Sequence, residues 1–292
     1  MPSTRDIRRR IKSVKNTAQI TKAMQMVAAA KMRRAQQAAL VGRPYAELLN
    51  EIMAEAATNT VSFKHPLMQP RDVKKRAVIL VGTDRGLCGG LNGNSFREAA
   101  KLDKNITVFI TAGRKASQFI ARTKRNLVAE FTYKDTPAFA EARAISKFAQ
   151  DIFLKGEVDA VDILYPKFIN TLMQQPKLVA FLPIGKVTAV TAGVNAPQQE
   201  LQDSNRAETF EFESDEETVL GALLPHSLNF QMHQILLEAK ASEQSARMVA
   251  MKNATDNAKQ IIKDLTLEYN KLRQANITKE LLEITTAQMA VG

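Results

Sequence analysis

Cysteine occurs once among the 292 residues, at Cys88, and tryptophan is missing altogether. A single thiol forms no disulfide within the chain and no zinc site of the paired-cysteine kind, and it suits a reducing compartment. Nor does any run approach the roughly 18 consecutive apolar residues from which a membrane-spanning helix is read. Histidine is scarce: His65, His226 and His233. The last two stand on one expected helix, too far apart for a two-histidine metal site of i, i+4 spacing. The glycine-rich stretch 82–93, GTDRGLCGGLNG, follows a strand-like run and precedes a helix-like one. It lacks the Lys-Ser/Thr pair of a phosphate-binding P-loop, the next lysine being Lys101, and it lacks the G-x-G-x-x-G spacing. It reads instead as a tight turn that lets backbone pass close to a neighbour, with Cys88 a small packed side chain. No nucleophile, base and oxyanion set stands out. The expectation is a chain without covalent chemistry, without a cofactor and without a metal.

Glycine and proline are absent from two long stretches. Neither occurs between Ser3 and Val41, nor between His226 and Val291, whereas eleven of the twelve glycines and nine of the ten prolines fall from Gly42 to Pro225. Helix interiors tolerate neither residue well and turns need both, so the chain reads as long helix, mixed domain, longer helix. The expected divisions are 1–60, 70–214 and 215–292. The last run extends roughly 100 Å if it forms a single helix, more than a domain of this size can bury. Its apolar residues Met248, Met251, Thr255, Ala258, Ile262, Leu265, Tyr269 and Leu272 alternate by three and four, the seam of a coiled coil. Ile7, Ile11, Val14, Ala18 and Thr21 repeat that alternation near the other end, and Ala28, Ala29, Ala30, Ala35, Ala38 and Ala39 allow close approach. Two helices from opposite chain ends, joined by a compact domain, lie most simply antiparallel. Gly42 with Pro44, and Pro225, are expected to kink or end them.

The middle alternates strand-like runs at 77–81, 106–110, 160–165 and 178–182 with helix-like runs at 95–102, 114–124 and 139–154. The polar stretch 194–214 adds one short edge strand near 210–212. The expected fold class is therefore α/β plus a long antiparallel coiled coil, the α/β part a doubly wound, Rossmann-like domain.

Acidic residues are nearly missing from the N-terminus. Of the net +11, the first 34 residues hold ten bases against one acid, Asp6. Such an arm suits nucleic acid, anionic lipid, an acidic protein surface, an organelle-targeting peptide, or simply a solvated helix face. Asp215, Glu216 and Glu217 cluster where the last helix starts, which the helix dipole accounts for. No charge follows Glu283 up to Gly292. That suits a tail docked on its own domain or a tip sheathed in an apolar sleeve.

Four strings together resemble the γ subunit of F-type ATP synthases: SVKNTAQITKAMQMVAAAK at 13–31, TDRGLCGGLN at 83–92, SEQSARMVAMKNATDNA at 242–258 and YNKLRQANITKELLEI at 269–284. One departure is local, Ala287-Gln288 standing where the family usually has Gly-Ala. The resemblance implies a non-catalytic rotary shaft, its N- and C-terminal helices standing in a ring of α and β subunits. The α/β domain would be the foot, resting on the c-subunit ring beside the ε subunit. That shaft would couple proton translocation to ATP synthesis and hydrolysis performed elsewhere, and would regulate ATPase activity and proton flow. By the same resemblance Met24, Arg247, Gln274 and Thr278 contact β, while Phe210 and Glu213 contact ε and the c ring. No nucleic acid partner is implied; a nucleic-acid binder would show steep salt dependence. A nucleotide-binding enzyme lacks its phosphate motif here. The start at Met1 close to the first helix and the lack of a paired-cysteine insertion point to a bacterial enzyme, peripheral on the cytoplasmic face of the inner membrane.

Overall fold

The computed structural model of the chain describes residues 3–42, 44–46, 48–49, 52, 65–184 and 216–291. It divides into two compact units, one made of residues 1–27 and 248–292, the other of residues 28–247. Two long helices, α1 (Thr4–Val41) and α5 (Glu216–Val291), contribute to both.

In the first unit α1 begins with a reciprocal cap. Asp6 N donates to Ser3 Oγ at 3.2 Å, and the Asp6 carboxylate accepts from the Ser3 hydroxyl at 2.7 Å, so a first-turn donor is satisfied without a preceding turn of helix. Burial then follows the seam read from the sequence. Met251, Thr255, Ala258 and Leu265 are buried and Met248, Ile262, Tyr269 and Leu272 half-buried, facing Ile7, Ile11, Val14, Ala18 and Thr21 of α1. Thr21 Oγ1 and Thr255 Oγ1 lie 2.7 Å apart. The Arg8 guanidinium donates to Tyr269 Oη at 2.6 Å and also lies 5.4 Å from that ring's centroid. Residue numbers rise on one helix as they fall on the other: the pair is antiparallel.

The second unit is a five-stranded sheet with order β3-β2-β1-β4-β5. Its strands are β1 (Arg76–Val81), β2 (Thr107–Ala112), β3 (Leu127–Phe131), β4 (Ala160–Phe168) and β5 (Gln174–Leu182). All neighbours are parallel except β4 and β5, which form an antiparallel hairpin. Strand β1 is central, and its alternation sorts two cores. Ala77, Ile79 and Val81 face one way, packed with α4 (Phe139–Leu154) and with Leu228, Met232, Ile235, Leu236 and Ala239 of α5. Val78 and Leu80 face the other way, against Ala99 of α2 (Leu91–Lys101) and Ala116 and Ile120 of α3 (Arg114–Arg122). Helices on both faces make the sheet doubly wound. Ala35 of α1 is buried with Phe168 and Ala241, so the small residues do permit close approach.

Several local expectations change. Helix α2 starts at Leu91 rather than 95, with Gly93 in its first turn. Strand β3 was not expected; its half-exposed alternation is short and carries Glu130. Helix α1 stops at Val41, and a Cβ on Gly42 would lie 2.1 Å from Gln234 Nε2, so a larger residue there would have to displace the end of that flexible side chain. Pro225, by contrast, neither begins nor ends α5. The helix passes through it, its lost hydrogen bond offset by burial of Leu224, Leu228 and Met232 around it. The strand expected near 210–212, and with it Phe210 and Glu213, lies outside the described residues.

Candidate functional site

Strand order reverses beside β1, with β2 on one side and β4 on the other. In doubly wound sheets the crevice outside the carboxyl ends of the strands at such a point receives a ligand. Here it receives the chain's own helix. Residues 234–245 of α5 are consecutively buried, although they include Gln234, Glu238, Lys240, Ser242, Glu243, Gln244 and Ser245.

Buried polar side chains need partners, and backbone groups left over at the strand ends supply many of them. His233 Nε2 lies 3.2 Å from Pro137 O, in the loop after β3. Glu238 Oε1 accepts from Phe168 N, at the end of β4, at 3.2 Å. Ser245 Oγ donates to Thr171 O in the β4–β5 turn at 2.7 Å. Arg247 Nη2 forks onto Arg85 O and Gly86 O in the glycine-rich loop, 3.2 Å from each. Side chains of one helix thus do for three loops and the end of β4 what water or a ligand would otherwise do.

The charges among them form a chain. Lys31 pairs with Asp135, whose Oδ1 lies 3.4 Å from Lys240 Nζ. Lys240 in turn lies 3.0 Å from Glu243 Oε2, and Glu243 Oε1 lies 2.8 Å from Arg247 Nη1. Lys240 and Glu243 are each 3% exposed and Arg247 9%. The hydrogen bond from Lys31, helped by Lys240, holds the Asp135 carboxyl below its ordinary range. Burial pushes Glu238 upward, an effect partly offset by hydrogen bonds from Tyr165 and Phe168 N. Burial and the negative field of Glu243 and Asp84 push the Tyr133 hydroxyl well above the usual range, and it stays a donor, to Gly82 O at 3.0 Å.

The glycine-rich loop is held from within as well. Asn92 Nδ2 donates to Thr83 Oγ1 at 2.7 Å and lies 3.4 Å from Cys88 Sγ, and Arg114 N donates to Asp84 Oδ1 at 3.0 Å. The close backbone approach expected here is between Gly113 and Gly82: a Cβ on Gly113, at φ +107°, would lie 2.4 Å from Gly82 O. Burial raises the pKa of the Cys88 thiol, which makes it a packed group rather than a ready nucleophile. Leu87, beside it, has φ +63° and is 63% exposed. Among the described residues no three His, Cys, Asp or Glu side chains are placed to share a metal ion.

The structure distributes the expected contact residues unevenly. Arg247 is buried on the loop and on Glu243. Met24 is half-buried on α1, one turn beyond Thr21. Gln274 and Thr278 are exposed neighbours on α5, and the Thr278 hydroxyl donates to Gln274 O at 3.0 Å. Beyond Leu272 the described α5 side chains are exposed, including Ile277, Leu281, Leu282 and Ile284. Asp135, Lys240 and Glu243 were not singled out from sequence. The available signal was three ionisable residues inside the otherwise apolar and small run 235–245, ILLEAKASEQS.

Comparison with known proteins bears on what this arrangement serves. A family model described as ATP synthase matches residues 3–291. The ATP synthase gamma chain of Opitutus terrae is 49% identical, with 100% of both chains covered. Those of Methylacidiphilum infernorum and Cupriavidus necator are 46% and 44% identical over the full length of both chains. Among solved structures, a chain of the Euglena gracilis mitochondrial ATP synthase, in an OSCP/F1/c-ring assembly, has TM-score 0.70 at 19% identity, covering 99% of this chain and 94% of that one. A chain of the Tetrahymena thermophila central stalk and c-ring has TM-score 0.58 at 23% identity, covering 80% and 99%. At these identities the structural likeness is one of fold.

Proposed function

The chain belongs to the ATP synthase gamma-chain family, and from that premise we propose that it is the central rotary shaft coupling proton translocation to ATP synthesis and hydrolysis on an α/β ring. The observation that carries the reading is the end of α5. Tyr269 is the partner of Arg8, one turn after α1 begins, so past Leu272 the first helix has run out. The second continues to Val291 with Ile277, Leu281, Leu282 and Ile284 exposed. A helix end that exposes these four apolar side chains among Arg273, Lys279, Glu280 and Glu283, with no packing partner among the described residues, suits a surrounding sleeve.

A single asymmetric shaft cannot contact three equivalent β subunits identically, so it holds their sites in different states, and turning it exchanges those states. Shaft angle and nucleotide binding are then linked, and driving either biases the other. Met24, Arg247, Gln274 and Thr278 are the proposed contacts to β; Phe210 and Glu213 are the proposed contacts to ε and the c ring. Gln274 supports this role by offering an exposed amide able to donate and accept, on a turn already tied by Thr278. In functional terms residues 1–60 and 215–292 are the shaft, a coiled coil, and 70–214 the foot. Among the described residues no helix is long and apolar enough to cross a membrane. Attachment to the cytoplasmic face of a bacterial inner membrane would then run through the complex. Chemistry belongs to the other subunits, and no role is assigned to a cofactor on this chain.

Native mass spectrometry of the complex that co-purifies with a tagged copy tests the reading. One copy of this chain with three copies each of two larger, nucleotide-holding subunits is the expected particle. A lone chain or a homo-oligomer retaining nucleic acid would overturn it.

A further inference from the structure

We propose that Glu243 is a positioning residue that latches the glycine-rich loop through Arg247, and that this latch keeps Cys88 shut away from solvent. The tip of the loop has little else to hold it. Arg85, Gly86 and Leu87 are exposed, and Leu87 adopts the left-handed conformation, which an L-residue with a branched side chain occupies only where its surroundings enforce it. The Arg85 carbonyl accepts from Thr83 Oγ1 at 2.8 Å and from Arg247. Among the described residues, Arg247 is the side chain that donates to the Gly86 carbonyl. Directly after this tip comes Cys88, 2% exposed.

Arg247 by itself does not define a position, because a guanidinium on a flexible stem can satisfy its donors in water. Glu243 supplies the definition. It sits one turn earlier on α5, 3% exposed, with Oε1 2.8 Å from Arg247 Nη1. Its other oxygen lies 3.0 Å from Lys240 Nζ without hydrogen-bond geometry, so the ammonium holds the carboxylate from the far side by charge alone. With one guanidinium nitrogen on Glu243, the other is aimed at the two loop carbonyls. The switch-point crevice is thereby closed by an internal cation where other doubly wound folds place a ligand. This inference rests on the geometry of one unit and stands whether or not Arg247 also meets β, so its test needs no partner subunit.

Cys88 is the only cysteine in the sequence, so alkylation of the full-length chain by a maleimide reports this loop alone. Glu243→Gln, which keeps the shape and removes the charge, and Arg247→Met are each expected to speed labelling by roughly tenfold or more, through local opening. The Glu243→Gln/Arg247→Met double variant is expected to label within about twofold of Arg247→Met, because both act through one latch. Hydrogen exchange separates loop opening from general loosening: amides of residues 84–92 should exchange faster while those of 77–81 in β1 keep their protection. A Glu243→Gln rate within about twofold of wild type would overturn the proposal. So would multiplicative effects in the double variant, or an equal rise in exchange along β1.

Discussion

Lys240→Met removes the centre of the buried charge chain while keeping a side chain of comparable length to pack beside Tyr133, over whose ring the ammonium now lies at 5.3 Å. Stripping one partner from a buried pair costs about 3–5 kcal/mol when the remaining charge is left alone. Neither remaining carboxylate is left entirely alone. Glu243 keeps Arg247 at 2.8 Å on Oε1 and loses its neighbour on Oε2, whereas Asp135 keeps Lys31 and has a side chain 57% exposed, so water replaces the lost contact. The loss is therefore expected near 2 kcal/mol, below the full range, which for a unit of this size is a fall in melting temperature of about 4–8 °C. Circular dichroism during heating measures it, and a urea titration with an unchanged slope shows that the folded state is the same. If the charge is the cause, adding Glu243→Gln should cost at least about 1 kcal/mol less than the single effects predict, because the carboxylate that suffers from the lost ammonium is gone. A Lys240→Met protein within about 0.5 kcal/mol of wild type, or strict additivity in the double variant, would refute the reasoning.

Gly113→Ala should be more damaging than an ordinary loop substitution, by about 2 kcal/mol or more, because it combines φ +107° with a Cβ 2.4 Å from Gly82 O; urea midpoints give the answer. Thr255→Val should cost about 1 kcal/mol by removing a partner of Thr21, while the Thr21→Val/Thr255→Val pair should lie closer to neutral, since the hydroxyls 2.7 Å apart disappear together. Asp135→Asn should show a pH signature. The folded carboxyl is held below the ordinary aspartate range, so the wild-type advantage, under about 1 kcal/mol for so exposed a group, is complete above about pH 5 and vanishes as pH falls through the lowered folded value. Melting curves of the two proteins should converge in acid. Gln274→Ala, at an exposed site, should leave the melting temperature unchanged and lower coupled ATP turnover of the assembled complex; full turnover would remove Gln274 from the proposed contacts.

The parts of this molecule governed by a repeating pattern were legible in its sequence. The seam residues from Met248 to Leu272 are buried or half-buried in the structure because a helix that pairs along its length must repeat its apolar side chains every three or four residues. The central strands β1 and β4 were legible because burial on both faces demands unbroken apolar runs. Strand β3 escaped because five half-exposed residues carry too little pattern, and the reversed direction of β5 escaped because direction is set by its hairpin with β4 and not by composition. Pro225 does not end α5 because local propensity is overridden where tertiary burial on both sides outweighs one lost hydrogen bond.

The polar residues of α5 escaped for a deeper reason. Read along the helix, Glu238, Lys240, Glu243 and Arg247 look like a solvated stripe, since nothing local distinguishes a charge facing water from one facing a carbonyl. What distinguishes them is the sheet. A doubly wound sheet leaves carbonyls and amides pointing out of its strand ends at the switch point, and whatever covers that end must offer donors and acceptors or leave those groups unpaired at a cost of several kcal/mol. An apolar helix would seal the crevice but leave Phe168 N and the carbonyls of Gly86 and Thr171 without these partners. A helix with polar residues at these positions seals it and satisfies them. Those charges then need one another, which is why acid and base alternate as Asp135, Lys240, Glu243 and Arg247. The same helix goes on to form the seam with α1. One helix thus carries two kinds of pattern, donors and acceptors matched to the strand ends up to Arg247 and an apolar stripe from Met248 to Leu272.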